Sequence, residues 1–279
     1  AEKEKEKMNE SVEFPSWDRI LGELREDDPA IVFTVKDAAG NVVRHIEAPA
    51  EAGFHRVAWD LRFPSVEAWV PEDQREQAWI PTAGVLVAPG SFSVSMQKRI
   101  DGVLTDLGQS QRFEVVSIRD PVLPGSTQEQ RVVFDSQVNE LSRATQGTVK
   151  TIDAIVGELT AAKEVLLSST ADPSLYEIAN SIQQRIQAER DRLTNNEARD
   201  LYNDFDEMTV TTRLFHARFA PTTNAYGPTP AQRESLRIAR SMYDDVTRQL
   251  SNLVDVEYAG LKVALDAAGV PWSPGRGIQ

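Results

Sequence analysis

The chain contains no cysteine, which excludes disulfide frameworks, thiolate zinc sites and thiol nucleophiles together. Histidine is nearly as scarce: there are three, and His45, His55 and His216 fall in separate predicted elements with no second imidazole at metal-ligand spacing. Neither a histidine metal site nor imidazole acid–base catalysis is expected from them. No apolar run approaches the roughly 18 residues needed to cross a bilayer, so no membrane span is expected. Basic residues are in deficit, 30 Lys and Arg against 43 Asp and Glu, for a net charge of -13. Binding a polyanion relies on basic side chains that displace counterions, so nucleic acid is not an expected partner. Gly-rich phosphate loops, nucleophile elbows and zinc-protease helix motifs are also missing. Carboxylate pairs can be drawn from so many acids almost at will and discriminate nothing. The residues therefore point to no catalytic group, no cofactor and no bound metal.

What is present suits two cores, since 279 residues exceed the usual single-domain length of about 100–200. Hydrophobic residues at 41% and charged residues at 26% are ordinary globular proportions. The charged start, Ala1 to Glu10, lacks the apolar stretch of a signal peptide and reads as a solvated cut end, so 1–28 is expected to be a linker or entry segment. From Ala30 the pattern alternates with period two. Ile31, Phe33 and Val35 take one side and Val32, Thr34 and Lys36 the other. Asp37-Ala38-Ala39-Gly40-Asn41 is a turn leading to a second strand, Val42 to Ile46, and further strands are expected at 54–61, 84–87, 91–99 and 111–117, with Asp101-Gly102 turning after the fourth. Short strands punctuated by Pro and Gly, without helices between them, predict an antiparallel β-sandwich over 29–119. Its expected core includes Phe33, Val57, Trp59, Phe92, Val94, Phe113 and Val115. The segment 63–81 is a long polar insertion carrying Trp69 and Trp79.

Asp120-Pro121-Val122-Leu123-Pro124-Gly125 breaks both periods and marks a linker over 120–125. The period then becomes helical. Ser126 or Thr127 can cap a helix, with Glu129 or Gln130 near the third position. The stripe Val138, Leu141, Thr145, Thr148, Ile152, Ile155, Leu159, Ala162 and Leu166 alternates steps of three and four, the seam of a bundle or coiled coil. A second stripe, Leu175, Ala179, Ile182, Ile186 and Leu193, follows a stop at Asp172-Pro173. A less regular helix is expected over 198–220. A last one, 230–268, should bury Leu236, Ala239, Tyr243, Val246, Leu250, Leu253, Leu261 and Leu265. Short connections imply antiparallel neighbours, so 126–270 is expected to be an antiparallel three- to four-helix bundle, with 271–279 as a tail. The fold class is thus α+β and multidomain.

Two features compete for a binding role. Asp200, Asp204, Asp206 and Glu207 superficially suggest calcium, but they lack EF-hand spacing and would spread around a helix, so a solvated face is expected. Trp69 and Trp79 stand in a polar insertion and are the candidate ligand or partner contacts. Exposed rings can stack on sugars, which makes carbohydrate the competing expectation to packing or protein contact.

Three segments carry a family resemblance: Asp37-x-x-Gly40-Asn41-Val42-Val43-Arg44; Gly53-x-His55-x-Val57-x-Trp59-Asp60-Leu61-Arg62; and Pro89-Gly90-Ser91-Phe92-Ser93-Val94. Together with Pro15-Ser16-Trp17 and the closing Val270-Pro271-Trp272-Ser273-Pro274-Gly275-Arg276, this pattern resembles the C-terminal region of bacterial sortilin-like, BNR-repeat propeller proteins, often labelled glycosyl hydrolases. The resemblance implies a propeller upstream, an immunoglobulin-like sandwich similar to that of flagellar hook-capping proteins, and a helical tail. It also implies an exported, extracellular or periplasmic location. The propeller repeats with their Asp-box turns are absent from these residues, so the hydrolase label carries over no catalytic residue. The function this implies is a non-catalytic scaffold contacting the upstream propeller and either a second copy or another protein, with a carbohydrate-binding accessory region as the alternative.

Overall fold

A computed structural model describes residues 15–69, 84–118, 125–202, 208–219 and 226–277. The fold is mixed α+β and divides into two compact units, one of 1–62 with 89–116 and the other of 63–88 with 117–279.

Among the described residues the first element of this unit is a short helix, α1 (Trp17–Glu23), whose N-terminus is capped by Ser16. A four-stranded antiparallel sheet follows: β1 (Ala30–Asp37), β2 (Val42–Pro49), β3 (Gly90–Ile100) and β4 (Val103–Val115), in the order β2-β1-β3-β4. The β1–β2 turn is held by Asp37, whose carboxylate accepts from the backbone and side-chain nitrogens of Asn41 at 2.8 and 3.0 Å. The β3–β4 turn has Asp101 and Gly102 at φ 46 and 71, the doubly positive pair that suits a tight right-twisted hairpin. The expected strand at 111–117 is the end of a longer one, because that turn feeds directly into pairing with β3 from Val103.

Two expected strands do not form. Residues 54–61 run across the sheet without entering a ladder, bounded by Gly53 at φ 130 and Leu61 at φ 58, conformations outside the β region. Residues 84–87 belong with the second unit, where Phe63 N–H donates to the Val85 carbonyl at 2.9 Å and Val85 and Val87 are buried. Among the described residues there is one sheet, and no second sheet completes a sandwich.

The second unit is helical. Its elements are α2 (Gln128–Leu167), α3 (Ser174–Leu193), α4 (Glu197–Leu201), α5 (Val210–Phe219), α6 (Pro230–Asn252), a π-helical stretch Leu253–Tyr258, and α7 (Ala259–Ala267). The single helix expected over 198–220 is two, α4 and α5. The starts of α2 and α6 use the same device, Gly-x-Thr-x-x-Gln. Thr127 and Thr229 accept from the backbone of Gln130 and Gln232, whose side chains return the bond, satisfying two donors at each helix start. The two starts lie side by side, with Ser126 N–H donating to the Tyr226 carbonyl at 2.9 Å.

Helix α3 packs antiparallel to α2, as Lys163 reaches Asn180 and Arg190 reaches Asp153. It also faces the last helix through Arg192–Asp245 and Arg185–Glu257. Helix α5 packs against both α2 and α6, and Ser235 donates to the Arg213 carbonyl. The common core holds Leu159, Ile186, Ala239 and Val246, each without solvent exposure. Every predicted α2 stripe residue is buried except Thr148, which is half-buried and meets the Tyr243 hydroxyl at 3.0 Å. Along the last helix Leu236, Ala239, half-buried Tyr243, Val246, Leu250 and Leu253 step by three and four, the next buried position is five further on at Tyr258, and the stripe resumes at Leu261 and Leu265. The π turn supplies the extra residue and keeps the stripe facing inward.

After α7, Gly269 at φ 63 ends the helix and Val270 N–H returns to the Leu265 carbonyl, an αL helix stop of the Schellman kind. The tail then folds back on Arg276. Its guanidinium donates to Asp266 and to the Val270 and Pro271 carbonyls, and the Trp272 indole donates to the Arg276 carbonyl at 3.1 Å.

Candidate interaction site

Alternation along the strands gives the sheet two chemically different faces. One is polar. There Thr34 and His45 are cross-strand partners with Oγ1 and Nδ1 3.1 Å apart, and Arg99 makes a bidentate pair with Glu47 at 2.9 and 3.0 Å. The other face is apolar because register aligns like with like. Phe33 sits between Ile46 on β2 and Met96 on β3, Val94 lies beside Val35, and Phe92 opposes Phe113.

This apolar face is incompletely covered. The segment 53–59 crosses it as a strap, and between strap and sheet lies a cleft of about 490 Å³, lined on the sheet side by residues including Ile31, Phe33, Ile46, Val94 and Met96. That volume is within the usual range for binding clefts, about 300–1,000 Å³. The strap keeps strand-like alternation: Gly53, His55, Val57 and Trp59 line the cleft, whereas Phe54 is 95% exposed. Trp59 anchors one end. Its ring meets Phe92 and Phe113 edge-on at 5.5 and 6.0 Å, and its indole N–H donates to the Arg62 carbonyl at 3.0 Å. At the other end His55 Nε2 lies 2.9 Å from the Glu51 carbonyl.

The expected ligand contacts are not brought together with this cleft. Trp69 belongs to the second unit. It is 79% exposed and follows Ala68, whose N–H donates to the Gln146 side chain on α2 at 2.9 Å. Trp79 lies outside the described residues, as do Asp204, Asp206 and Glu207 and the side chain of Asp200. His216 is exposed and stacks edge-on with Phe215 at 5.9 Å. Among the described residues no cluster of three or more His, Asp or Glu is placed to hold a metal ion. Also among them, no helix is long and apolar enough to cross a membrane.

One partly buried charge group joins α2 to α5. Arg218 donates to Asn139, and burial pushes its guanidinium down while the charges of Asp135 and Glu67 oppose the shift. Burial likewise pushes the Asp135 carboxyl above its ordinary value, against the attraction of Arg131 and Arg218. A raised folded-state value favours the fold when the carboxyl is protonated. That contribution is full below the ordinary carboxylate range and lost as pH rises through the folded value. Asp135→Asn should therefore be more stable than the parent chain at neutral pH, with the gap narrowing near pH ~4. Paired urea melts at the two pH values read this directly, and a gap that widens on acidification would contradict it.

Sequence reasoning found Trp59, Phe92, Val94 and Phe113 but missed Ile46 and Met96, whose role comes from register across three strands. The unpaired state of the strap carried no sequence signal. Comparison with family models, curated proteins and solved structures finds no match to the chain.

Proposed function

We propose that the chain is a non-catalytic structural and interaction module whose apolar sheet face is its contact surface. The observation that carries this reading is the half-covered cleft beside Phe33, Ile46 and Met96. Aliphatic side chains in an open cleft gain roughly 25 cal/mol per Å² when a partner removes them from water. The sheet and strap suit an uncharged contact, since 30–62 and 89–116 carry seven Lys and Arg against seven Asp and Glu while the chain as a whole is strongly acidic. Within this proposal the sheet is one layer of an immunoglobulin-like sandwich, the helices form an antiparallel three- to four-helix bundle, and the whole is the C-terminal region of an exported propeller protein. The propeller, or a protein bound to it, is then the partner.

The test is reconstitution. The chain should bind a purified upstream propeller segment, and Ile46→Asp should weaken that binding by at least about tenfold, or roughly 1.4 kcal/mol. Met96→Gln serves as the milder variant if circular dichroism shows that Ile46→Asp disturbs the sheet. Equal binding by both variants and the parent chain would remove the cleft from the contact, and turnover of a glycan by the isolated chain would overturn the non-catalytic assignment. The exposure of Trp69 supports one second reading, a carbohydrate-binding accessory region. A glycan array on which the parent chain binds and Trp69→Ala does not would favour it.

A further inference from the structure

The strap has an unusual combination of properties. It is extended, it alternates between cleft and solvent, and its backbone is idle: among the described residues no N–H or C=O from Phe54 to Asp60 has a hydrogen-bond partner. Strands of this kind usually lie in ladders, because their main-chain groups are obligatory donors and acceptors. Here side chains alone hold the segment in place, through Trp59 against Phe92 and Phe113 at one end and His55 against Glu51 at the other. The crossing ends at Leu61 in the left-handed region, at φ 58, a conformation uncommon for a residue with a branched side chain.

We propose that the strap accepts an extended strand from a partner polypeptide, which pairs with the 54–60 backbone and sends every second side chain into the cleft. This rests on the interaction reading above and adds the mode of recognition. A compact apolar ligand could fill about 490 Å³ but would make no use of the 54–60 main chain, most of whose residues are exposed. An extended chain meets both demands at once, because its main chain supplies the ladder and its alternation supplies the apolar side chains. The seven-to-seven charge balance of 30–62 and 89–116, the residues that build the sheet and the strap, selects a strand alternating apolar with uncharged polar residues.

Amide hydrogen exchange on the whole chain tests this, with a short blocked peptide alternating valine with threonine and serine as the probe. In the free chain the 54–60 amides should exchange like unprotected ones while those of β1 and β3 are slow, and saturating peptide should slow the 54–60 amides. Successive N–H groups face opposite edges of a strand, so Val57→Pro and Ala58→Pro each remove a donor from one edge. One of the two should weaken peptide binding by about tenfold, with the far-ultraviolet spectrum unchanged. No slowing with peptide, or equal binding by the parent chain and both proline variants, would overturn the proposal. Slowing that appears with protein concentration alone, together with a dimer mass, would overturn the partner strand in favour of a second copy. Loss of binding in Ile46→Asp alongside indifference of the 54–60 amides to peptide would sink strand addition and leave the interaction reading standing.

Discussion

An Arg276→Ala variant should unfold more readily than the parent chain by about 2–4 kcal/mol, a loss several times that of an ordinary surface substitution. The side chain is 2% exposed and its guanidinium is shared among one carboxylate and two carbonyls. Removing it strands the buried Val270 carbonyl, and leaving a buried acceptor unmade costs more than the bond contributed. The neighbouring Gly275 has no room to compensate. It sits at φ 83, and a Cβ there would lie 2.2 Å from Glu158 Oε2, the carboxylate that also accepts from the Tyr258 hydroxyl. Burial and that carboxylate push the Tyr258 phenol well above its usual range, so it stays a donor throughout the neutral range. Lysine at 276 should recover only part of the loss, since an ammonium cannot reproduce the planar fork. Urea melts followed by helical circular dichroism measure the difference, and a change below about 0.5 kcal/mol would show that the tail is not held as described.

The largest effect is expected at Leu159. It has no solvent exposure and belongs to the buried hydrophobic core of the helical unit, so Leu159→Ala should cost about 3–5 kcal/mol through lost burial and the void left behind. Leu167 on the same helix is 76% exposed, and its replacement by alanine should change stability by less than about 0.5 kcal/mol. The same chemical change at two positions of one helix thus separates the inward stripe from the outward face. The helical signal isolates this transition from that of the sheet unit, which matters because a chain with two units need not unfold in one step.

The contrast between these leucines was legible in the sequence. A run alternating threes and fours from Val138 to Leu166 defines a face whatever surrounds it, and Thr127 with Gln130 marks its beginning through local chemistry alone. The strap was not legible. Phe54 to Leu61 alternates as a strand should, yet being a strand in a ladder requires a neighbour, and neighbours are not encoded in the segment itself. The candidate cleft was half legible for the same reason: alternation within β3 identified Val94, whereas the approach of Ile46 and Met96 to Phe33 depends on how three strands align. Tyr258 escaped because a step of five breaks both helical periods. Arg276 escaped because a long-range fold-back of the tail leaves no periodic trace.

The winding of the last helix at Leu253–Tyr258 has a consequence for how this chain tolerates change in length. Because that turn already absorbs one surplus residue, excising Val256, which points outward at 63% exposure, should let the helix relax to ordinary pitch while Leu261 and Leu265 keep their seats. Elsewhere in a buried helix a one-residue deletion turns everything downstream by about 100°. This is the spot along the helix where the chain can shorten without losing its phase.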